Sequence, residues 1–215
     1  MAETAVRFAV AGPEGPLSLE GVLTAPDGAG PVAGVVVAHP HPLAGGDMDN
    51  NVVAALCEGL AAAGIASLRF NFRGVGASEG VHGNGVGELD DLKAAFGFLQ
   101  QQTGIDAARC GLAGYSFGAR ASLKVAAALP LAGLLVVAPP MGDSVAGPAM
   151  TCPMMALVGA EDRAAGGDMA GYRAHFPQPE SLLVIPGTDH FWMGYEGVLA
   201  TAAQEFFGKA LAAQA

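Results

Sequence analysis

The chain has 215 residues, of which 52% are hydrophobic and 14% charged, and its formal net charge is −10. This length and composition suit one substantial core and exclude an intrinsically disordered protein, so we expect a single domain over residues 1–215. The negative charge disfavours nucleic acid as a partner, because a phosphate backbone is bound by Lys and Arg.

Short β-rich runs alternate with helix-like runs along the chain. The first two strands flank residues 11–16 (AGPEGP), whose glycines and prolines predict a turn between antiparallel strands. The third, at 32–40, is apolar on both faces, which is typical of a buried parallel strand. Further strands are predicted at 65–72, 110–116, 131–139, 153–161 and 181–187, and helices at 50–63, at 88–102 and after Ser116, Gly167 and Tyr195.

This alternation predicts an α/β fold whose mostly parallel, eight-stranded sheet carries helices on both faces. In such sheets, ligands bind at the carboxyl ends of the strands. The residues that follow each strand are therefore the candidates for a functional site.

Residues 114–118, GYSFG, match the Gly-X-Ser-X-Gly pattern between a predicted strand and a predicted helix. The match alone is weak in a chain with 32 glycines, and its context strengthens it. A turn this tight leaves no room for a side chain at Gly114 or Gly118 and holds Ser116 in a strained conformation above the sheet edge. The context favours a nucleophilic Ser116 over a passive serine in a glycine-rich turn.

A serine hydroxyl is a poor nucleophile unless a base takes its proton, and the base needs an acid to orient it. His190 follows the last predicted strand, and Asp162 ends the strand before it. Ser116, Asp162 and His190 thus lie at carboxyl ends of strands and are predicted to form a triad. Glu161 is the alternative acid, whereas Asp189 is interpreted as a carboxylate that caps its own loop.

The remaining histidines have less specific surroundings. His175 is interpreted as structural and His39 as an anchor of its loop. His82 is interpreted as a solvated loop residue, with a place at the edge of the substrate site as the alternative. A metal pair of His39 and His41 is disfavoured, because both side chains would have to turn to the same side.

Five segments together resemble the α/β-hydrolase superfamily over nearly the whole chain. They are HPHPLAGGDMDNNVV (39–53), LRFNFRGVGASEG (68–80), GELDDL (87–92), GYSFG (114–118) and GTDHFW (187–192). More narrowly, the chain resembles small bacterial hydrolases of esterase-like or dienelactone-hydrolase-like type. The resemblance implies a serine hydrolase with the chain order Ser, Asp, His and with no cofactor.

An oxyanion hole is expected from two backbone N–H groups, of which Phe117 supplies one. The second should come from the loop after the third strand, where many members of the superfamily carry His-Gly. This chain has prolines at positions 40 and 42, which cannot donate, so His41 or Leu43 remains, with a slight preference for His41.

Residues 69–80, RFNFRGVGASEG, contain three glycines after a strand, but their spacing and the absence of an immediate helix do not fit a dinucleotide fingerprint. We expect no cofactor and no metal. Arg73 is expected to tie this loop to Glu79 or to backbone carbonyls.

Cys57, Cys110 and Cys152 have no metal-ligand spacing, and their odd number argues against a disulfide framework. The N-terminal residues lack the pattern of a secretory signal. The uncharged run 125–142 contains three prolines, which divide it into a helix end, a turn and a strand. These features predict a cytoplasmic protein with reduced thiols and no membrane contact.

The predicted function is hydrolysis of a small-molecule ester, with a short acyl group, through an acyl-enzyme. Residues 141–151 leave no room for a cap domain between two strands, so we expect an open site with Met141, Met154 and Trp192 as candidate lining residues. An acyltransferase or a peptidase with the same triad is the alternative, and a small-molecule binding protein with this fold is the non-enzymatic one. The sequence does not indicate the oligomeric state.

Overall fold

The structure is a computed structural model that describes residues 1–28, 30–141, 151–163 and 169–212. Its strands are β1 (Ala2–Gly12), β2 (Gly15–Ala25), β3 (Val32–Ala38), β4 (Ala66–Phe70), β5 (Ile105–Tyr115), β6 (Gly133–Val137), β7 (Met154–Gly159) and β8 (Leu182–Ile185). Its helices are α1 (Asn51–Ala62), α2 (Gly87–Gln100), α3 (Phe117–Val125), α4 (Met169–His175) and α5 (Glu196–Ala210). Single 3₁₀ turns lie at Pro42–Ala44, Ala126–Ala128 and Pro179–Ser181.

The eight strands form one sheet in the order β1-β2-β4-β3-β5-β6-β7-β8. The first hairpin is antiparallel, and β2 also pairs antiparallel with β4. All other neighbours are parallel. The prediction of a mostly parallel, eight-stranded sheet is confirmed.

Two cores lie on opposite faces of this sheet. Successive residues of β3 alternate between them, since Val36 and Ala38 pack with α2 and α3, whereas Val35 and Val37 pack with α1 and α5. This period of two is the geometry of an extended strand. Burial on both faces explains why β3 is apolar at every position and why its prediction as a central strand is confirmed.

The loop after β4 is held by an ion pair that the sequence analysis assigned wrongly. Arg73 donates to Asp91 of α2 from Nη2 to Oδ1 (2.6 Å) and from Nε to Oδ1 (2.9 Å), and both residues are buried. Glu79 instead accepts the N–H of Ser18 (2.8 Å) on β2. Asp91 reaches Arg73 because α2 packs on the sheet. Their separation in the sequence does not predict this ion pair.

The connection from β6 to β7 carries no helix or strand in its described residues, 138–141 and 151–153. The segment at 141–151 that predicts an uncapped site lies mostly outside the described residues. Within the described part of the chain, no helix is long and apolar enough to span a membrane.

Candidate active site

Ser116 occupies the turn between β5 and α3. Its backbone has φ 51° and ψ −111°, a left-handed φ that a residue with a side chain rarely adopts. A Cβ atom on Gly114 would lie 2.6 Å from the carbonyl oxygen of Gly118, and one on Gly118 would overlap the carbonyl oxygen of Ala38. Glycine is therefore required at both positions, as the sequence predicts.

The structure brings His190 and Asp162 to this serine. His190 Nε2 lies 3.0 Å from Ser116 Oγ, and His190 Nδ1 lies 2.8 Å from Asp162 Oδ2. A carboxylate only accepts hydrogen bonds, so Nδ1 carries the proton and Nε2 is left to accept from the serine hydroxyl. The Asp162 side chain is only 3% exposed, so water scarcely competes for its charge.

In the described part of the chain, neither Glu161 nor Asp189 forms a hydrogen bond with the His190 ring. Glu161 is exposed, and its backbone N–H donates to the carbonyl of Thr188. Asp189 accepts the N–H of Phe191 at 2.9 Å, which confirms its interpretation as a loop cap. The geometry thus favours Asp162 as the partner of His190.

His39 is an anchor of its loop, as predicted. Its ring is fully buried, with Nδ1 2.7 Å from the carbonyl oxygen of Pro40 and Nε2 3.1 Å from the N–H of Phe72. Nδ1 therefore donates and Nε2 accepts, which describes a neutral imidazole. Burial lowers the pKa of His39 from 6.5 to about 4.

The candidate oxyanion donors differ in whether their backbone N–H groups already have a hydrogen-bond partner. The N–H of Leu43 donates to Nδ1 of His41 (3.2 Å), which caps the 3₁₀ turn at Pro42–Ala44. Among the described residues, the N–H groups of His41 and Phe117 have no hydrogen-bond partner. The close approach of Gly118 to the carbonyls of Ala38 and His39 places the start of α3 against the loop that carries His41.

A cavity of about 420 Å³ opens beside Ser116. One wall is aromatic, since the ring centroid of His41 lies 5.0 Å from that of Phe117 and 5.2 Å from that of His82. The cavity continues along α3 past Arg120 and Lys124. Its lining residues are His41, His82, Asn84, Gly85, Leu89, Ser116, Phe117, Arg120, Ala121, Lys124 and Pro140.

His82 is part of this wall, so its preferred interpretation as a solvated residue is wrong and the alternative, a place at the edge of the cavity, fits the structure. Its side chain is only 11% exposed, and Nδ1 lies 2.7 Å from Oε1 of the buried Glu88. Glu88 also accepts the N–H groups of Gly83 (2.6 Å) and Gly85 (2.9 Å). The first turn of α2 therefore fixes the loop that closes one side of the cavity.

The prediction that Met141, Met154 and Trp192 line the site is also wrong for this cavity. Trp192 is fully buried in the core beneath α1 and α5. Met154 and Met141 pack against the opposite core, and Met154 lines a separate groove beside α4 and α5. The positions of these side chains depend on loop paths that the sequence pattern does not fix.

Comparisons with known proteins identify the family of this chain. Residues 15–147 match the family model described as X-Pro dipeptidyl-peptidase (S15 family). An α/β serine hydrolase homologue from Coxiella burnetii is 35% identical, with a TM-score of 0.80 over 93% of this chain and 96% of that chain. The chain belongs to the α/β serine hydrolases, in the S15 family.

Two further proteins are similar in sequence to this hydrolase. An α/β serine hydrolase from Xanthomonas campestris, described as having no lid, is 32% identical, with a TM-score of 0.80 over 98% of this chain and 97% of that one. An uncharacterized protein of Rickettsia prowazekii is 41% identical over 107 residues, which are 49% of this chain. That match spans only 44% of the curated relative's length.

Two residues that the sequence analysis missed hold the His190 loop of this hydrolase. The hydroxyl of Tyr115 donates to the carbonyl of His190 (2.6 Å), and burial raises the pKa of Tyr115 to about 12, so the donor stays protonated. Nδ2 of Asn51 donates to the carbonyl of Phe191 and to Oε1 of Glu196, both at 3.2 Å. The one sequence signal that could have identified Tyr115 is its position inside GYSFG.

Proposed function

We propose that this serine hydrolase is a carboxylesterase for small or short-acyl esters, with Ser116 as nucleophile, His190 as base and Asp162 as the acid that orients it. The observation that carries the proposal is the continuous chain from Asp162 through His190 to Ser116, with contacts of 2.8 and 3.0 Å. This chain of contacts ends at Ser116, which lies in a strained turn and lines a cavity.

In the proposed reaction, the Ser116 hydroxyl gives its proton to His190 Nε2 while Oγ attacks the ester carbonyl carbon. Asp162 stabilises the imidazolium that forms. His190 then gives the proton to the leaving alcohol oxygen, and the acyl group stays on Oγ. A water molecule, deprotonated by His190, attacks the acyl-enzyme and releases the carboxylic acid, and the proton returns to Ser116.

The developing oxyanion is proposed to bind the N–H groups of Phe117 and His41. Both are without a partner among the described residues, whereas the N–H of Leu43 already donates to His41 Nδ1. Phe117 is also the first residue of α3, where the helix dipole favours a negative charge.

Peptide hydrolysis is the second candidate, because the chain matches the X-Pro dipeptidyl-peptidase family. Such an enzyme must bind the ammonium group of a peptide N-terminus, which is ordinarily paired with a carboxylate. The described lining of the cavity includes Arg120 and Lys124 but no Asp or Glu. The absence of a carboxylate from the described lining supports an ester over a peptide with a free amino group.

The proposal is tested with a fluorophosphonate probe, which reacts with activated serines. We expect a single label on the protein, lost in Ser116→Ala together with about 10⁶-fold in kcat on 4-nitrophenyl butyrate. Ser181→Ala is the matched control, because both serines are 8% exposed and the hydroxyl of Ser181 donates to the carbonyl of Gln178. Labelling that persists in Ser116→Ala would rule out this nucleophile.

The two substrate classes are separated by comparing 4-nitrophenyl butyrate with glycyl-prolyl-4-nitroanilide. We expect hydrolysis of the ester and little or none of the anilide. Efficient release of nitroaniline, with a weaker reaction on the ester, would reassign the protein to the dipeptidyl-peptidases.

A further inference from the structure

Strand β1 lies at one end of the eight-stranded sheet, with β2 as its neighbour. It is 11 residues long, contains no proline and pairs with β2 in unbroken register from Ala2 to Gly12. Among the described strands, none pairs with its outer edge. Proteins usually shorten, bend or cover such an edge, because it is a template for a further strand. The outer edge of β1 is therefore a candidate interaction surface.

The hydrogen bonds of β2 show which residues of β1 face this open edge. Glu20 of β2 directs both of its backbone groups away from β1: its carbonyl accepts the N–H of Asn71, and its N–H donates to Ser78 Oγ, both at 3.0 Å. Glu20 lies opposite Arg7 of β1. In an antiparallel pair, two opposite residues either bond to each other or both point outward. The N–H and carbonyl of Arg7, and of every second residue along β1, therefore face the open edge.

The same alternation places the side chains of Glu3, Ala5 and Arg7 on one exposed face of β1. Their two charges are opposite in sign and lie two residues to either side of Ala5. When a second copy pairs antiparallel about Ala5, Glu3 of each strand lies opposite Arg7 of the other. Pairing centred on Glu3 or on Arg7 brings like charges together, and pairing centred on Val6 places both charges opposite alanines. Charge complementarity thus selects one register.

Contacts within the chain leave both charged groups able to bind a partner. Arg7 donates from Nη1 to Ser18 Oγ and to the carbonyl of Ala77, both at 3.3 Å. A guanidinium has five N–H donors, so those on Nε and Nη2 remain for a carboxylate. Glu3 lies 3.6 Å from Arg69, and its side chain is 62% exposed, so this surface ion pair is weak.

We propose that β1 is a dimerisation surface, at which two copies of this chain pair their first strands antiparallel about Ala5. The two sheets then form one continuous sheet of sixteen strands, eight from each copy, across a two-fold axis. Backbone groups of Glu3, Ala5 and Arg7 bond across this axis, and two symmetry-related Glu3–Arg7 ion pairs fix the register. An extended segment of another protein would satisfy the backbone groups as well, and the self-complementary charges favour a second copy.

Analytical ultracentrifugation of the wild type, from about 1 μM to about 500 μM, tests the proposal. We expect a monomer–dimer equilibrium within this range, because a single pair of strands makes a small interface. Glu3→Arg and Arg7→Glu each place like charges at both ends of the interface and should raise the dimer Kd about tenfold or more. Glu14→Arg, at the exposed tip of the first hairpin, is the control and should leave the Kd unchanged.

An equimolar mixture of Glu3→Arg with Arg7→Glu tests the register itself. In the mixed dimer, every arginine lies opposite a glutamate of the other copy, so association should return to the wild-type strength. A mixture that stays as dissociated as its two components would overturn the proposed pairing.

Ala5→Pro tests the backbone bonds. It removes an N–H that faces the open edge, so the β1–β2 hairpin keeps its own hydrogen bonds, and far-UV circular dichroism should be unchanged while the dimer is lost. A wild type that stays monomeric at the highest concentration would overturn the proposal. A dimer that is unaffected by both Glu3→Arg and Ala5→Pro would overturn it too, because such a dimer must use another surface.

Discussion

Asp162 holds its charge almost out of contact with water, 2.8 Å from the imidazole of His190. An asparagine would keep the size but offer an N–H group, which favours the wrong tautomer of His190. We therefore expect Asp162→Asn to lower kcat by about 10⁴ on 4-nitrophenyl butyrate, with little change in stability. Glu161→Gln serves as the control on the exposed neighbour. A near-normal Asp162→Asn beside an inactive Glu161→Gln would reassign the acid.

His39 links the loop after β3 to acid stability. Burial lowers the pKa of His39 from 6.5 to about 4, so between these two pH values the unfolded chain binds a proton that the folded protein does not. The free energy of unfolding therefore falls as the pH falls through this window. At 1.36 kcal/mol for each pKa unit, the whole shift corresponds to about 3 kcal/mol.

We expect His39→Gln to remove this part of the pH dependence, because a glutamine oxygen can still accept the N–H of Phe72 without titrating. Urea unfolding at pH 7 and pH 4.5 measures it as the difference between wild type and variant, which cancels the contribution of the carboxylates. Identical losses of stability in the two proteins between these pH values would show that His39 is not the group responsible.

At the scale of elements, α1 and α5 cross in close contact on one face of the sheet. A Cβ atom on Gly59 would overlap the backbone of Ala200 in α5. Gly59→Ala should therefore destabilise the protein by about 1–3 kcal/mol through overpacking, although alanine is the better helix former. Gly97→Ala in α2 is the control, since nothing lies within 4 Å of the added atom. Chemical unfolding should show this control to be stabilising by up to about 1 kcal/mol.

Predictions of the elements from sequence succeeded where the pattern was local. The apolar runs identified all eight strands, and GYSFG placed the turn between β5 and α3. The bounds were less accurate: β5 begins at Ile105, five residues before the predicted strand, because Ile105 pairs with Val32 of β3. Pairing of that kind is decided by a neighbouring strand, and the polar residues at the start of β5 carry no sign of it.

Residues of the candidate site were likewise predicted where the signal is local and missed where it depends on contacts across the fold. Ser116, Asp162 and His190 could be selected because each follows a strand, and parallel strands bring their carboxyl ends to one edge. Contacts made across the fold were missed, such as the hydroxyl of Tyr115 on the carbonyl of His190. The wall formed by His82 was missed too, because it depends on the buried Glu88 of α2.

At the scale of the whole molecule, the described residues of the connection from β6 to β7 carry no helix or strand that could cover Ser116. The short segment at 141–151 predicts no cap domain, and the relative from Xanthomonas campestris is described as having no lid. The space beside Ser116 is a cavity of about 420 Å³, near the lower end of the range for small-molecule sites. A bound acyl chain can be buried only as far as this cavity extends.

This limit predicts how activity depends on acyl length. Each buried methylene contributes about 0.8 kcal/mol, and one that stays in water contributes nothing. We expect kcat/KM for neutral 4-nitrophenyl esters to be highest at about two to six acyl carbons and to gain nothing beyond that, because the additional methylenes leave the cavity. The short segment at 141–151 predicts no lid, so activity should also start without a lag when a lipid interface is added. Initial rates over a series from acetate to dodecanoate measure both, and a steady rise through dodecanoate would contradict the prediction and indicate a lipase with an apolar tunnel.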